Sequence, residues 1–363
     1  MDFVDAARRL VRSLFAANGT LGQRAARGGF WVILSYGGSR LLGLIRTIIL
    51  ARLLVPADLG LVGMAEVATG FLALLTEVGM TQALIHMQDV DDSVLDTAWI
   101  ISMLRGLLLG GITFLSADLV ASFFATPELK PIIWVMASVF AINGLNSIGL
   151  ILLKRDLDFR KMAYYQLGAN LVSLTVVTAA AYYLRNAWAV VLGTLAQAVC
   201  ILVASYLLHP YRPHLRWRVD TARELLNYGK YILGGGIAFY LLTQGDDALV
   251  GKVLGPEALG LYGLAYTVSN MPSTAITRMI GQVAFPVYAQ LQNDVQALRT
   301  AYLRILRITG MIVIPFSGGL FALAPELVRV LYGEKWMPMV PSFMALCLYG
   351  LERAVDSSSI SVF

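Results

Sequence analysis

The sequence predicts an all-α, polytopic membrane protein of about ten transmembrane helices, arranged as two pseudo-symmetric helical lobes around a central cavity. Its composition supports this fold class, because 58% of the 363 residues are hydrophobic, only 14% are charged and the mean hydropathy is +0.69. Soluble domains contain about 25% charged residues. A second support is a series of apolar runs, each long enough for the roughly 20 residues that a helix needs to cross a bilayer. The third is an internal repeat.

The repeat is a stretch around Pro56 that occurs again 200 positions later. In each copy an apolar run carrying a basic residue (Arg52 or Lys252) stops at a proline and resumes at Leu-Gly. Proline ends a helix, so each copy predicts a helix, a tight turn and a second helix. Internal repeats in membrane transporters commonly form two halves around a substrate site. The matching pairs are Leu54/Leu254, Pro56/Pro256, Leu59/Leu259, Gly60/Gly260, Leu61/Leu261, Gly63/Gly263 and Ala65/Ala265.

Four segments are predicted along the chain. Residues 1–28 place apolar side chains on one helical face and arginines on the other, which favours an amphipathic helix on the cytoplasmic membrane surface. Residues 29–208 form an N-terminal lobe of six spans, residues 209–225 a basic cytoplasmic linker, and residues 226–363 a C-terminal lobe of four spans. The predicted spans are 29–53, 60–86, 97–122, 131–153, 163–184, 187–208, 226–253, 259–288, 302–324 and 339–361.

The distribution of Lys and Arg predicts the orientation of the chain. These residues concentrate in the N-terminal segment and in the loops 154–161 and 209–223, and they are much rarer at the opposite ends of the spans. By the positive-inside rule, these loops and the N-terminus lie in the cytoplasm. The loop 88–96 is an exception, since it is acidic and is nevertheless expected on the same side; acidic residues count little in this rule.

Charged residues inside the predicted spans are the candidate functional residues, because a charge at bilayer depth is costly unless it faces a partner or a wet cavity. The basic ones are Arg40, Arg46, Arg105, Arg278 and Arg353. We expect Arg40 and Arg353 to extend to the membrane surface. Arg105 begins a Gly-xxx-Gly stretch that would let a neighbouring helix pack closely.

The offset of 200 pairs opposite charges in the two lobes. Arg46 corresponds to Asp246, which is followed by Asp247, and each lies ten residues or about 15 Å before the proline of its copy. Glu77 corresponds to a residue next to Arg278. In a structural interpretation, these groups only neutralise one another as ion pairs. In a functional interpretation, the arginines bind an anionic substrate while Asp246, Asp247 and Glu77 take up and release protons or cations.

An anionic substrate with phosphate oxygens suits the fork-shaped guanidinium groups of Arg46, Arg105 and Arg278. Gln244, Tyr266 and Asn270, together with Tyr240, are candidates for hydrogen bonding and stacking with sugars, although such residues more often pack in a core or at the membrane interface.

Signals of an enzyme are poor. The three histidines lie at a span end or in the basic linker, and the sequence has no zinc-protease motif, nucleophile elbow or nucleotide-binding glycine loop. The two cysteines lie in apolar runs and predict neither a disulfide nor a metal site. We therefore expect no enzymatic activity, no nucleic-acid partner and no cofactor, with coupling to H+ or Na+ as the possible role of a small ion.

Four stretches carry a resemblance to a known family: SYGGSRLLGLIRTIILARLLVPADLGLVGMAEV at 35–67, EVGMTQALIHM at 77–87, LLKRDLDFRKMA at 152–163 and DALVGKVLGPEALGLYGLAYTVSNMP at 247–272. They resemble the Wzx-type oligosaccharide flippases, and within these the colanic-acid and succinoglycan type of exporter, which belong to the multidrug/oligosaccharidyl-lipid/polysaccharide exporter superfamily. The most specific part is the pattern R-x5-R-L-L-x-P-x-D-x-G at Arg46–Gly60.

This resemblance implies a multi-pass protein of the bacterial inner membrane with a cytoplasmic N-terminus. It would move undecaprenyl-pyrophosphate-linked repeat units to the outer leaflet by alternating access, coupled to an ion gradient as an antiporter. Arg46, Asp246 and Asp247 fall where the family places charged cavity residues. Membrane lipids, a polysaccharide polymerase and glycosyltransferases are the implied partners.

One departure and two alternatives accompany the resemblance. Family members usually have twelve or more spans, so we expect the second lobe to lack its last two helices, as in a truncated or short form. A multidrug or lipid II exporter of the same superfamily is one alternative, although a site for cationic drugs would be lined by acids rather than by Arg. The other is a non-transporting scaffold for polysaccharide assembly, which would tolerate charge reversal of Arg46.

Overall fold

The structure is a computed structural model of the chain, and it describes most but not all residues. Within the ranges given next, the backbone alone is described for residues 21–27, 75, 226–235 and 357–360. The described ranges are 21–75, 80, 83–84, 87, 90–156, 158–271, 273–274, 280, 284, 287–288, 290–292 and 294–360. The predicted surface helix of residues 1–28 therefore lies largely outside the described residues, as do the side chains of Glu77 and Arg278.

The described residues form α-helices and one 310 helix, and no strand occurs among them, which confirms the all-α fold class. The α-helices are α1 Leu21–Leu53, α2 Pro56–Leu75, α3 Asp92–Leu115, α4 Ala117–Phe123, α5 Leu129–Gly144, α6 Gly149–Arg155, α7 Phe159–Leu184, α8 Trp188–Leu208, α9 Val219–Ser269, α10 Val295–Ala322, α11 Ala324–Leu331 and α12 Val340–Ile360, with the 310 helix at Glu334–Met339.

Six described helices are long and apolar enough to cross a membrane, and the bent pair α5 and α6 makes up to seven. The two helices of this pair meet at 60°. The six lie at Gly28–Leu53, Pro56–Leu74, Asp92–Leu115, Phe159–Leu184, Trp188–Leu208 and Val295–Ala322. The count of ten spans stays a prediction, because the predicted spans 60–86 and 259–288 run in part through residues that the structure does not describe.

Short polar side chains begin several helices. Asp91 accepts a hydrogen bond from the backbone N–H of Val94 at 2.9 Å at the start of α3. Asp158 and Asp294 do the same at the starts of α7 and α10. Each carboxylate satisfies a backbone donor that has no partner in the first helical turn and carries the charge that a helix N-terminus favours.

The helix–turn–helix prediction is confirmed in both repeat copies. The first copy ends α1 at Leu53 and begins α2 at Pro56. In the second copy α9 is broken at Gly255, whose φ of 85° is accessible to glycine at no steric cost, and helical geometry resumes at Pro256. Proline follows the break because it cannot donate a backbone hydrogen bond to the preceding turn.

The chain divides into two compact units. Unit 1 comprises residues 1–53 and 64–248, and unit 2 comprises residues 54–63 and 249–363. In unit 1, α7 packs against α1 and α8, and α5 packs against α3 and α8. In unit 2, α10 packs against α12. The predicted lobe boundaries at the 209–225 linker stay a prediction.

Segment 54–63 belongs to unit 2 because the two repeat copies cross there, at the matched glycines Gly60 and Gly260. A Cβ atom at Gly60 would lie 2.5 Å from the carbonyl carbon of Pro256 and overlap its oxygen. Reciprocally, a Cβ atom at Gly260 would lie 2.7 Å from the carbonyl carbon of Pro56, and each glycine's added Cβ would be 3.0 Å from the other's nitrogen. Such reciprocal contacts are what a local twofold axis relating the two copies produces.

Residues 209–218, which connect α8 to α9, are fastened to the start of α3. Asp96 is fully buried, and one of its carboxylate oxygens accepts hydrogen bonds from the Tyr211 hydroxyl at 2.6 Å and the His214 backbone N–H at 2.9 Å. Arg218 reaches the Asp91 carboxylate at 3.2 Å. We call this set of contacts the linker clasp. Burial, helped by the hydrogen bond to Asp96, raises the pKa of Tyr211 far above its ordinary value.

The linker clasp explains the exceptional loop 88–96. This acidic loop and the basic linker meet, so the two lie on the same side of the membrane, as the orientation argument predicts. The acids of the loop complement the basic residues of the linker. The pKa of Asp91 is lowered by hydrogen bonds from the Ser93 hydroxyl and the backbone N–H of Val94.

Candidate functional site

The candidate site is a cluster of four charged side chains in unit 1. Arg46 on α1 and Glu66 on α2 interact electrostatically as opposite charges. Glu66 also interacts with Asp247 on α9, which in turn interacts with its neighbour Asp246. We call these four residues the charged cluster. It brings together the predicted residues Arg46, Asp246 and Asp247 and adds Glu66, which the sequence reasoning missed.

The chain positions these charges at one depth. Arg46 precedes Pro56 by ten residues, Glu66 follows it by ten, and Asp246 precedes Pro256 by ten. Ten helical residues span about 15 Å, so all three lie about 15 Å from the turn of their repeat copy. That equal spacing is the signal that could have found Glu66.

Glu66 lies on a different face of α2 from its buried neighbours. Its side chain is exposed, whereas its neighbours Ala65 and Val67 are buried. The groups that interact with it come from α1 and α9, so the carboxylate faces the region between α1, α2 and α9. Charges at membrane depth are tolerated where they pair or face a wet cavity, and the charged cluster meets the first condition through the opposite charges of Arg46 and Glu66.

Tyr240 joins α9 to α2 beside the charged cluster. Its hydroxyl donates a hydrogen bond to the Val67 carbonyl oxygen at 2.6 Å, and its ring lies 5.9 Å from that of Phe71. Gly70 leaves room for this contact, because a Cβ atom there would be 2.8 Å from the hydroxyl. Tyr240 also interacts electrostatically with Glu66 and Asp247. Gln244 follows one helical turn later, next to the acids.

Arg105 lies apart from these contacts. One of its guanidinium nitrogens donates to the Ala73 carbonyl oxygen on α2 at 3.4 Å, seven residues further along α2 than Glu66. The predicted close packing at its Gly-xxx-Gly stretch is confirmed. A Cβ atom at Gly106 would be 2.6 Å from the Cα of Gly144 on α5.

Tyr266 and Asn270 lie in unit 2. The Tyr266 hydroxyl accepts a hydrogen bond from Arg353 at 2.9 Å, so this contact lies within unit 2, and the extension of Arg353 to the membrane surface stays a prediction. Asn270 is buried, with its amide nitrogen 3.2 Å from the Tyr266 carbonyl oxygen. Its side-chain oxygen has no hydrogen-bond partner among the described residues. Roles for Glu77 and Arg278, which lie outside the described residues, stay predictions.

Among the described residues, no group of three or more His, Cys, Asp or Glu side chains is placed to hold a metal ion.

The fold and the charged cluster define a class of protein: a multi-pass helical membrane protein with an internal repeat and charged residues inside its spans. The family model described as "Polysaccharide biosynthesis protein" matches residues 49–341, so the chain belongs to that family. This confirms the family resemblance predicted from the sequence.

Curated relatives support the same placement. The chain is 27% identical over 318 residues to the lipopolysaccharide biosynthesis protein WzxC of Escherichia coli K12, covering 87% of this chain and 65% of the relative. It is 23% identical to the succinoglycan biosynthesis transport protein ExoT of Rhizobium meliloti 1021, covering 88% and 64%. The chain thus spans slightly less than two thirds of the length of these two relatives.

Solved structures share the fold at low sequence identity. One is the lipid II flippase MurJ in an inward closed conformation, with a TM-score of 0.68 and 17% identity over 92% of this chain and 76% of that one. Another is a multidrug resistance transporter of the MATE family in an inward-facing conformation, with a TM-score of 0.63 and 16% identity over 89% and 82%. These similarities place the chain in the transporter fold expected from the sequence.

Proposed function

We propose that this protein moves lipid-linked oligosaccharide units across the bacterial inner membrane, from the cytoplasmic to the outer leaflet, for polysaccharide export. The observation that carries the proposal is the charged cluster inside the spans of a polysaccharide biosynthesis family member. Relatives are named for lipopolysaccharide biosynthesis and succinoglycan transport. The proposed substrate is an undecaprenyl-pyrophosphate-linked repeat unit, and the N-terminus is proposed to lie in the cytoplasm.

Arg46 is proposed to bind the pyrophosphate, because a guanidinium group pairs with two phosphate oxygens at once. Its electrostatic partner Glu66 competes with the substrate for it. Opposite charges inside a protein attract more strongly than in water, because the effective dielectric constant is lower. Neutralising Glu66 therefore strengthens the hold of Arg46 on an anion.

Asp246 and Asp247 extend this competition to ion coupling. Two adjacent carboxylates beside Glu66 repel one another, so uptake of a proton or a cation by any of the three relieves the repulsion. Protonation then releases Arg46 for the substrate, and loss of the proton restores the Arg46–Glu66 pair and expels the anion. This exchange would link substrate transfer to a gradient of H+ or Na+. Each ligand shifts the conformational equilibrium of the transporter only by the difference between its affinities for the two conformations.

Gln244 is proposed to contact the polar head of the substrate beside the charged cluster. Tyr266 and Asn270 in unit 2, together with Arg105 and Arg278, remain proposed substrate contacts, and Glu77 a proposed gating residue. A polysaccharide polymerase and glycosyltransferases are the proposed partners.

The test is export in bacteria that lack their own flippase and carry variants of this protein. We expect Arg46→Gln and Glu66→Gln to reduce polysaccharide export at least about tenfold and to cause lipid-linked repeat units to accumulate, while the proteins still reach the membrane. Arg40→Gln is the matched control, because Arg40 is exposed on the same helix and stacks on Tyr36 instead. Full export by Arg46→Gln would overturn the proposal.

A double variant separates the functional interpretation from mere charge neutralisation. In Arg46→Glu combined with Glu66→Arg, the opposite charges remain but their positions are exchanged. If the pair only neutralises buried charge, the exchange restores export to nearly the original level. If Arg46 binds the substrate from α1, the double variant stays as impaired as the single ones.

One observation favours a second candidate, an exporter of cationic compounds. The charged cluster contains three carboxylates and one arginine, so it is richer in acids than the sequence reasoning assumed. The same variants distinguish the two functions: Glu66→Gln would abolish resistance to cationic drugs and leave polysaccharide export unchanged if this second function were correct.

A further inference from the structure

Unit 1 contains an apolar cavity of about 700 Å³ beside the charged cluster. Three parts of the chain form its walls: the middle of α2, the corner between α3 and α4, and the middle of α9. The lining residues are Val67, Ala68, Phe71, Leu72, Ser116, Leu119, Val120, Ser122, Phe123, Phe124, Tyr240, Leu241, Gln244, Gly245 and Ala248. We call it the α2/α9 cavity. Its volume lies within the range of about 300–1,000 Å³ that is typical of ligand pockets.

The hydroxyl groups of the lining are already used by the protein. Ser116 donates to the Thr113 carbonyl oxygen at 3.1 Å, Ser122 donates to that of Leu119 at 2.8 Å, and Tyr240 donates to that of Val67. Apart from Gln244, the surface left facing the cavity is hydrocarbon. An apolar cavity does not hold ordered water, so its natural occupant is another hydrocarbon.

The polar end of the cavity identifies which hydrocarbon. Gln244 is a lining residue whose amide makes no hydrogen bond with any other described residue, and it lies two and three positions before Asp246 and Asp247. Tyr240 lines the cavity and also interacts electrostatically with Glu66 and Asp247. An amphiphile with an anionic head can therefore place its head at Arg46 and its chain in the cavity.

We propose that the α2/α9 cavity binds the polyisoprenyl chain of the lipid-linked substrate while its pyrophosphate lies at the charged cluster. This inference rests on the proposed function. Hydrophobic burial contributes little inside a bilayer, because the lipid is as apolar as the cavity. The chain is held by packing against the exposed faces of Phe71, Leu119 and Phe123, and tethering through the head raises its local concentration at the cavity.

Gly245 offers a sharp test because it lies in the cavity wall with open space in front of it. No described atom lies within 4 Å of a Cβ atom built at this position, so Gly245→Leu fills the cavity without pushing against backbone. Gly111→Leu is the matched control. Gly111 is also within a helix of unit 1 and also has no described atom within 4 Å of an added Cβ, but it is not among the lining residues.

The experiment compares binding of undecaprenyl pyrophosphate and farnesyl pyrophosphate to the purified protein in detergent. The two probes have the same pyrophosphate head and differ in the length and the double-bond geometry of the polyisoprenyl chain. We expect Gly245→Leu to weaken binding of the long-chain probe by about tenfold or more, which corresponds to about 1.4 kcal/mol, and to change binding of the short-chain probe by less than about twofold. Gly111→Leu should change neither.

Equal affinity of Gly245→Leu and the unchanged protein for the long-chain probe would overturn the inference. If Gly245→Leu no longer bound either probe, the Leu119→Trp variant, on the opposite wall of the cavity, is measured in the same assay. Loss of binding of the long-chain probe alone would support the inference, and any other pattern would overturn it. An unchanged protein that bound neither probe would instead refute the proposed function. A photoreactive residue at position 119 that captured phospholipid but no undecaprenyl pyrophosphate would assign the cavity to membrane lipid and overturn the inference.

Discussion

Adding a single methyl group at Gly60 should disrupt unit 2, because this residue lies where the two repeat copies cross. The Cβ atom of an alanine there would overlap the carbonyl oxygen of Pro256 and lie 2.5 Å from its carbonyl carbon. The crossing backbone has to retreat by more than about 1 Å, because the carbonyl carbon alone is about 1 Å short of an ordinary contact of about 3.5 Å and the oxygen lies nearer still. The group it meets is backbone, which cannot turn aside as a side chain can.

The expected magnitude follows from that geometry. Inserting a methyl group into a packed core costs about 1–3 kcal/mol when side chains can adjust. We expect Gly60→Ala to cost at least about 3 kcal/mol, because both surfaces are backbone. At roughly 2–4 °C per kcal/mol for a domain of 150–250 residues, the melting temperature should fall by about 6–12 °C. Gly260→Ala should have a similar effect, because its Cβ would overlap the oxygen of Pro56.

The repeat supplies its own controls. Gly63 and Gly263 are the next matched glycines along the two copies. A Cβ atom at Gly63 meets only the side chain of Leu259 at 3.4 Å, and no described atom lies within 4 Å of one at Gly263. Both alanine variants should melt within about 2 °C of the unchanged protein, since a compatible Gly→Ala change in a helix is neutral or mildly stabilising.

The assay is thermal unfolding of the purified protein in detergent, followed by fluorescence, together with the amount recovered from membranes. If Gly60→Ala and Gly260→Ala melted at the temperatures of their Gly63→Ala and Gly263→Ala controls, the close crossing of the two copies would be refuted, and with it the local twofold axis inferred from those contacts.

Two further predictions concern the linker clasp. Asp96→Ala leaves the Tyr211 hydroxyl without its buried acceptor and should destabilise the clasp by about 3 kcal/mol. The measurement is the rate of proteolysis of linker 209–218, which should increase. Asp92→Ala removes an exposed neighbouring carboxylate and should leave that rate unchanged. Burial lowers the pKa of His209, so the unfolded linker binds a proton more tightly than the folded one, and the folded linker should loosen as the pH falls below about 6.5. Proteolysis, measured in steps of about 0.5 pH unit, should therefore accelerate as the pH falls from 7.5 to 5.5. A His209→Gln variant with the same pH dependence would show that His209 is not the titrating group.

The sequence alone predicted those features that depend on the position of a residue within a single helix, namely helix breaks and charges inside spans. The proline and glycines of the repeat predicted the two helix breaks, and the structure adds that Gly60 and Gly260 are small because the copies touch there. Arg46, Asp246 and Asp247 were found because a charge inside a span is costly enough to need a function or a partner.

Contacts between distant parts of the chain could not be predicted in this way. Glu66 was missed because its counterpart 200 residues later is Tyr266, which is uncharged, and the search for opposite charges passed over it. The hydrogen bond from Tyr240 to Val67 joins residues 173 positions apart, and no local pattern in either helix specifies it. The hydrogen bond from Arg353 to Tyr266 was missed because the sequence does not show that the two residues lie side by side.

The membership of residues 54–63 in unit 2 has a consequence for how the protein is made. More than 180 residues separate Gly63 from Leu249, the point at which the rest of unit 2 begins. Ribosomes add about 5–20 residues per second, so the first copy of the repeat waits roughly 10–40 s in the membrane before its counterpart emerges. Through that interval the backbone around Pro56 and Gly60 has only lipid, water or the insertion machinery to cover it. Assembly of unit 2 therefore cannot begin until the second repeat copy has been synthesised, and cells that translate this message slowly expose its crossing point for longer.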